Sequence, residues 1–265
     1  MADSTYIDTS TPHPARMYDW FLGGKDNYPV DEEMGRRLVA MDGRVLTTAR
    51  ANRAFLQRAT RWLASQGVRQ FLDIGTGIPT EPNLHQIAQR IAPESRVVYC
   101  DNDPIVLAHA EALLRSSPRG ATAYIQADFR EPEKIVEEAA QVLDLERPVA
   151  LCLVALLHFI ADEDGAYELV DRLMAALPSG SHLLLSHGTA DFSPRTAQQA
   201  AELYAARGMT LALRSHAEVE RFFARYELVM PGVAVLDRWK PELGEWTPQS
   251  DEGPTPGYGA VARKL

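Results

Sequence analysis

Gln70-Phe-Leu-Asp-Ile-Gly-Thr-Gly-Ile-Pro79 is the stretch that decides how the rest of the chain is read. Its first five residues form a short apolar run that ends in glycine. That is the pattern of a buried strand entering a tight turn. Leu84, Ile87, Ala88 and Ile91 then recur at helical spacing. Arg96-Val-Val-Tyr-Cys100 reads as a second strand. Asp103-Pro104 opens the next helix, with Asp as cap and Pro at the first helical position. Ile105, Leu107, Ala108 and Leu114 supply that helix with an apolar face.

The alternation continues downstream. Ala121–Gln126 is a third strand, and Pro132 opens a helix reaching about Leu143. Pro148–Val154 is wholly apolar, as expected at the centre of a parallel sheet. A helix begins at Asp162 and Asp164 and ends before Gly180; His182–Ser186 is a fifth strand. A helix over 194–207 stops at Gly208, and Ser215-His-Ala-Glu218 is a capping box. Glu227–Leu236 and Tyr258–Ala262 read as two last strands in an antiparallel pair, with a loop over 240–257 between them. Strands alternating with helices imply an α/β, doubly wound sheet with right-handed crossovers.

That alternation starts only near residue 70. Residues 1–15 read as a flexible tail and residues 16–66 as a helical extension. Within the extension Ala54, Phe55, Ala59, Trp62 and Leu63 mark a buried stripe. Residues 67–265 read as the sheet domain.

Composition excludes several classes. With 265 residues, 46% hydrophobic and 24% charged, the chain is neither fibrous nor wholly disordered. Its net charge of −9 gives no general attraction to phosphate backbones, so nucleic acid is a poor default partner. The longest apolar run, Val149–Leu157, is too short to span a bilayer. No secretory leader is visible at the start, and a cytoplasmic protein is expected. Cys100 and Cys152 fall on strands separated by another strand, beyond disulfide reach, and read as buried thiols. No histidine spacing suggests a metal site.

The glycine turn carries the chemistry. Gly75, Thr76 and Gly77 let a ligand approach the backbone, and Asp101, 24 positions beyond Gly77, is placed to accept from ribose hydroxyls. A dinucleotide needs a third glycine and a free helix N-terminus; here the position holds Thr80, and Pro79 removes a donor. Asp73 at the strand end would repel a diphosphate. It would attract the ammonium and sulfonium of S-adenosyl-L-methionine, by up to ~4 kcal/mol at ~4 Å before desolvation. A glycine turn with no ligand is the bland alternative. Asp128 reads as an adenine contact or a helix cap, and Phe129 as its stacking partner or a core ring. Asn102 reads equally as an adenosine contact or a turn former, and Asp103 as a cap.

Four strings together resemble the successive motifs of a class I S-adenosylmethionine-dependent methyltransferase: Asp73-Ile-Gly-Thr-Gly77, Tyr99-Cys-Asp-Asn-Asp103, Ala127-Asp-Phe129 and Ala155-Leu-Leu-His158. More narrowly, Ala15-Arg-Met-Tyr-Asp-Trp-Phe-Leu-Gly-Gly-Lys-Asp-Asn27 and Ala51-Asn-Arg-Ala-Phe55 resemble the opening of a bacterial S-adenosyl methyltransferase family first described as a domain of unknown function. The resemblance covers about 15–265 and departs from the broad family pattern at Pro79. It implies a mostly parallel, seven-stranded Rossmann-like sheet with a final antiparallel strand, and a helical segment over the cofactor. It also implies a cofactor contact at Ala155.

Gly23-Gly24 interrupts helical text at about 1 kcal/mol per glycine, which points to a kink where the backbone approaches something closely. A lid is one reading, with Tyr18, Asn27 and Tyr28 closing over the methionine end or the acceptor; a plain helix-to-helix turn is the other. For a methyl acceptor needing a base, His158 is the first candidate, at the end of the fourth strand; His187 is the second, and Tyr28 is a further catalytic candidate. Arg16, Arg50 and Arg53 read either as a basic cluster for an anionic acceptor or as solvated charges. The expected activity is methyl transfer to a small molecule. A non-catalytic holder of the cofactor or its demethylated product, and an NAD-linked oxidoreductase, are the rival readings.

Overall fold

The computed structural model describes residues 8–113, 115–244 and 253–265. Leu114, residues 1–7 of the expected tail and residues 245–252 of the expected loop lie outside them. The N-terminal segment is three helices, α1 (Pro14–Phe21), α2 (Pro29–Met41) and α3 (Arg44–Ser65). The alternating part then runs β1 (Gln70–Ile74), α4 (Leu84–Ile91), β2 (Arg96–Asp101), α5 (Pro104–Leu113), β3 (Ala121–Gln126), α6 (Pro132–Ala139) and β4 (Ala150–Val154). It continues through α7 (Ala166–Ala175), β5 (His182–Gly188), α8 (Pro194–Ala205), α9 (His216–Arg221), β6 (Glu227–Leu228), β7 (Ala234–Val235) and β8 (Gly257–Arg263).

The sheet order is β3-β2-β1-β4-β5-β8-β6, with β7 pairing β8 off that path. Strands β1 to β5 are parallel, and β8 is antiparallel to β5 and β6. The expected arrangement of seven strands with a final antiparallel strand is there; the eighth strand is the two-residue β7. The run Glu227–Leu236 breaks into β6 and β7 because Pro231 and Gly232 interrupt it. Strand order reverses between β1 and β4, which opens a crevice at their carboxyl ends.

Two apolar layers enclose the sheet. One joins Leu72, Val98, Leu151 and Leu183 to α6, α7 and α9. The other joins Phe71, Val97, Cys152 and Leu184 to Phe55, Ala59 and Leu63 of α3. The buried stripe of α3 is therefore a layer of the sheet domain itself. Buried Arg58 fastens it, donating to the carbonyls of Trp239 (2.8 Å) and Leu236 (2.6 Å). A third cluster gathers Met17, Phe21, Met34, Leu38 and Tyr204, and seats α1 and α2 against α8.

Helical text over Arg16–Ala64 is broken at Leu22–Tyr28 and again at Asp42–Gly43. Helix α1 begins at Pro14, inside the expected tail, because Pro at the first position and the His13 side chain cap it there. At the Gly23-Gly24 kink the close approach is to Asp19. A Cβ on Gly24 would overlap the Asp19 carboxylate, which accepts from Asp26 N–H (2.9 Å) and Asn27 Nδ2 (2.8 Å). Among the described residues no helix is long and apolar enough to cross a membrane. Cys100 and Cys152 are free and buried.

Candidate active site

A crevice of about 390 Å³ opens at the carboxyl ends of β1 to β5 and is roofed by α1 to α3. Of the residues singled out in the sequence, it brings together Tyr18, Asp73, Gly75, Thr76, Gly77, Asp101, Asn102, Asp128, Phe129, Ala155 and His158. Asn27 and Tyr28 are not on its wall. Asn27 is spent on Asp19 and the Gly24 carbonyl. Tyr28 precedes α2, with the Arg16 guanidinium 5.3 Å from its ring centre. Both hold the turn after the kink, away from the crevice wall.

The glycine turn adopts positive φ at Gly75 (+71°) and Gly77 (+66°), the region that favours glycine. Asp101 is buried at the end of β2. Its carboxylate accepts from Gly77 N–H (2.8 Å) and Asp103 N–H (3.0 Å), tying the turn to the neighbouring strand. Asp103 caps α5 through Ile105 N–H (2.9 Å), as expected, and lies 3.2 Å from His13 Nδ1. Asn102 donates to Asp128 (3.0 Å), and Asp128 also accepts from Arg130 N–H (2.8 Å). Asp128 therefore shapes its own turn while bordering the crevice. Phe129 is both a core ring and a crevice wall.

Asp73 is buried and accepts one hydrogen bond, from Thr76 Oγ1 (3.0 Å). Burial pushes its carboxyl up to about 7, against the pull of the Thr76 hydroxyl and the Arg53 charge. Burial also raises Asp101. Arg53 borders the same crevice. One of its terminal nitrogens holds the carbonyls of Thr80 and Pro82, while its buried Nε has no partner among the described residues. Of Arg16, Arg50 and Arg53, read either as a basic cluster or as solvated charges, one borders the crevice. Arg16 is buried 3.6 Å from Asp31 and Arg50 is exposed, so only Arg53 reaches the crevice.

A polar chain joins the floor to the roof. Ala155 N–H donates to Ser186 Oγ (2.9 Å), and the Ser186 hydroxyl donates to Asn52 Oδ1 (2.5 Å). Asn52 Nδ2 donates to the Tyr18 hydroxyl (2.8 Å), which donates to the Ala49 carbonyl (3.0 Å). It holds Ala155 at φ +56°, a strained value for a residue with a Cβ.

His158 lies not on β4 but in the 3-10 turn Leu157–Phe159 beyond it. Gly188 N–H donates to its Nδ1 (3.4 Å), which assigns the ring proton to Nε2. Nε2 has no partner among the described residues and is not sealed from the crevice. Burial, then His187 and Arg214, hold His158 well below the usual imidazole range, so it is neutral. His187 is neutral as well, pushed down to about 3 chiefly by burial. Its Nδ1 donates to the Gly188 carbonyl (2.6 Å), and its Nε2 accepts from Arg214 (2.7 Å). Arg214 also holds the carbonyls of Leu157 (2.8 Å) and Ile160 (2.9 Å).

Sequence reasoning missed Asn52, Ser186, Tyr204 and Arg214. Asn52 carried a signal: it sits on the same helical face as Leu56, Ala59 and Leu63, where an apolar residue is expected. Among the described residues no group of three or more His, Cys, Asp and Glu side chains could hold a metal ion.

This topology, with a glycine turn after β1 and an acid ending β2, defines a Rossmann-like methyltransferase domain. The chain belongs to the S-adenosyl methyltransferase family, whose family model matches residues 1–265, and it is an S-adenosylmethionine-dependent methyltransferase. It is similar to the crystal structure of a DUF574 family protein from Streptomyces avermitilis, at 50% identity over 98% of this chain and 100% of that one, with a TM-score of 0.93. A candidate methyltransferase from Thermobifida fusca is 35% identical over 97% of this chain and 96% of that one, with a TM-score of 0.87. An S-adenosylmethionine-dependent methyltransferase from Anabaena variabilis, 16% identical over 74% of this chain and 77% of that one, shares the fold at a TM-score of 0.50. A search of curated proteins gives no match.

Proposed function

We propose that this methyltransferase acts on a small molecule held between the sheet and the N-terminal helices, and that it works chiefly by positioning. One observation carries the reading. Asp73 and Arg53 border the same crevice, yet no salt bridge or hydrogen bond joins them. A buried carboxylate and a guanidinium on one crevice wall, not paired with each other, fit the ammonium and carboxylate of one amino-acid end. S-adenosylmethionine carries such an end and NAD does not, so these residues fit the family's cofactor. When bound, the cofactor supplies an activated methyl carbon whose sulfur leaves as a neutral thioether.

The protein's own groups divide the remaining work. Asp73 faces the cationic end, and Arg53 takes the carboxylate. Gly75 and Gly77 line the turn without side chains that would fill it, and Thr76 spends its hydroxyl on Asp73. Asp101 keeps a free lone pair on each oxygen for ribose hydroxyls, and Asn102, Asp128 and Phe129 border the base. Helix α1 is the roof: His13 approaches Asp103, and Ala15 lies over Gly77. This narrows the proposed lid to α1 and Tyr18. His158, neutral with its proton on Nε2, acts as a hydrogen-bond donor to the acceptor rather than as a base. Alignment alone can supply about 7–11 kcal/mol of the barrier.

The test is a transfer assay with methyl-labelled S-adenosylmethionine and a panel of small metabolites, proteins and nucleic acids. Label in an extractable small molecule, with S-adenosylhomocysteine released in equal amount, is expected. Label on nucleic acid or protein, or tight binding with no transfer to any class, contradicts the reading.

A further inference from the structure

We propose that the half of the crevice away from the glycine turn receives a neutral, largely apolar acceptor that carries an aromatic ring and a hydroxyl-like group. The proposal rests on reading the crevice as the site of methyl transfer. This half is walled by Phe21, Leu38 and Val45 from the N-terminal helices, and by Phe159, Tyr204 and Leu211 opposite them. All six belong to, or pack against, the third apolar cluster.

Three features select the occupant. The first is shape. Phe159 and Tyr204 lie stacked, 6.1 Å between ring centres at 28°, and Phe159 abuts His158 at 4.3 Å. A row of rings favours a flat ring as a guest. The second is polarity. Tyr204 is buried, but its hydroxyl has no partner among the described residues and is not sealed from the crevice. Burial raises its pKa, so it stays a neutral donor and acceptor. With His158 Nε2, it gives two open ring-borne hydrogen-bonding atoms among mostly apolar walls, which Thr48, Ser193 and Thr196 also line. A guest with no polar group would leave both unsatisfied.

The third feature is charge. Asp73, Asp101, Asp128 and Arg53 stand at the glycine-turn half. Asp42, at the apolar half, is paired with Arg44 at 2.7 Å. A charged acceptor would leave water without a counter-charge, a penalty that ring contacts do not offset.

The test measures binding of 2-naphthol and 2-naphthoate to the full chain saturated with S-adenosylhomocysteine. The two probes share a ring and differ in charge. Saturable binding of 2-naphthol, at least tenfold tighter than 2-naphthoate, is expected. Tyr204→Phe should weaken 2-naphthol threefold or more and leave naphthalene binding unchanged, a difference that mere loosening of the wall would not produce. Ala200→Trp, which fills the enclosure, should abolish 2-naphthol binding. Equal binding of the two probes, or 2-naphthol binding retained in Ala200→Trp, overturns the proposal. Failure of the methyl-transfer reading looks different: 2-naphthol binds to a protein that takes up no S-adenosylhomocysteine.

Discussion

The Ser186 hydroxyl donates a 2.5 Å hydrogen bond to Asn52 Oδ1, joining the end of β5 to α3 across 134 positions of sequence. Both residues are buried, and the bond continues to Tyr18 on one side and Ala155 on the other. Removing the Asn52 amide takes one partner each from the buried Ser186 hydroxyl and the half-buried Tyr18 hydroxyl. Asn52→Ala should therefore cost about 2 kcal/mol in chemical denaturation. A loss below about 0.5 kcal/mol would show that the chain contributes little to the fold.

Gly75 and Gly77 share the same backbone requirement but not the same space. A Cβ on Gly75 would stand 2.7 Å from Leu156 Cδ1, whereas one on Gly77 meets only Ala15 Cβ, at 3.9 Å. Both Ala variants carry the left-handed strain of about 1–2 kcal/mol. Only Gly75→Ala adds a collision, so it should be the less stable by at least about 1 kcal/mol in thermal or chemical unfolding. Equal losses would mean that Leu156 moves aside freely.

Asp101 bridges two backbone N–H groups, those of Gly77 and Asp103. Asp101→Ala should thus destabilise the ligand-free protein by about 1–3 kcal/mol as well as weaken S-adenosylmethionine. Calorimetric scans without cofactor test this. An unchanged melting temperature together with weakened binding would assign Asp101 to the ribose alone.

His158 should remain neutral across the working pH range, because burial and the neighbouring Arg214 disfavour its charged form. Nitrogen-detected NMR of the histidine rings should show His158 with its proton on Nε2 and no titration between about pH 5 and 9. A midpoint near the ordinary imidazole value would restore the general-base role.

The sheet was legible because its signals are local and strong. Gln70–Ile74 and Pro148–Val154 are short apolar runs, and every parallel strand falls where its run does. The crevice acids were legible too, since Asp73 and Asp101 lie at the ends of strands and Asp128 just beyond one, where carboxyl ends open on the switch point. The N-terminal segment was not. The close approach implied by Gly23-Gly24 was real, but only three-dimensional packing shows that Gly24 meets Asp19, and that Asn27 turns back to it. Tyr204 and Arg214 were hidden for a similar reason. Each sits on an ordinary amphipathic or loop stretch, and its role comes from groups far along the chain, such as Phe159 and His187.

The central claim is that Asp73 meets the cationic end of the cofactor, and its titration offers the most direct test. Burial raises the carboxyl from an ordinary 3.8 to about 7. An unfolded Asp releases its proton near 4 while the folded one keeps it, so stability falls as pH rises from about 4 to 7 and then levels. Cofactor affinity should run the opposite way, because a cation prefers the ionised carboxylate. Calorimetric titration with S-adenosylmethionine at pH 6 and pH 8 should show the wild type gaining about tenfold relative to Asp73→Asn, since ionisation rises by about that factor. Parallel pH dependence in the two proteins, or uptake of NAD in place of S-adenosylmethionine, would contradict it.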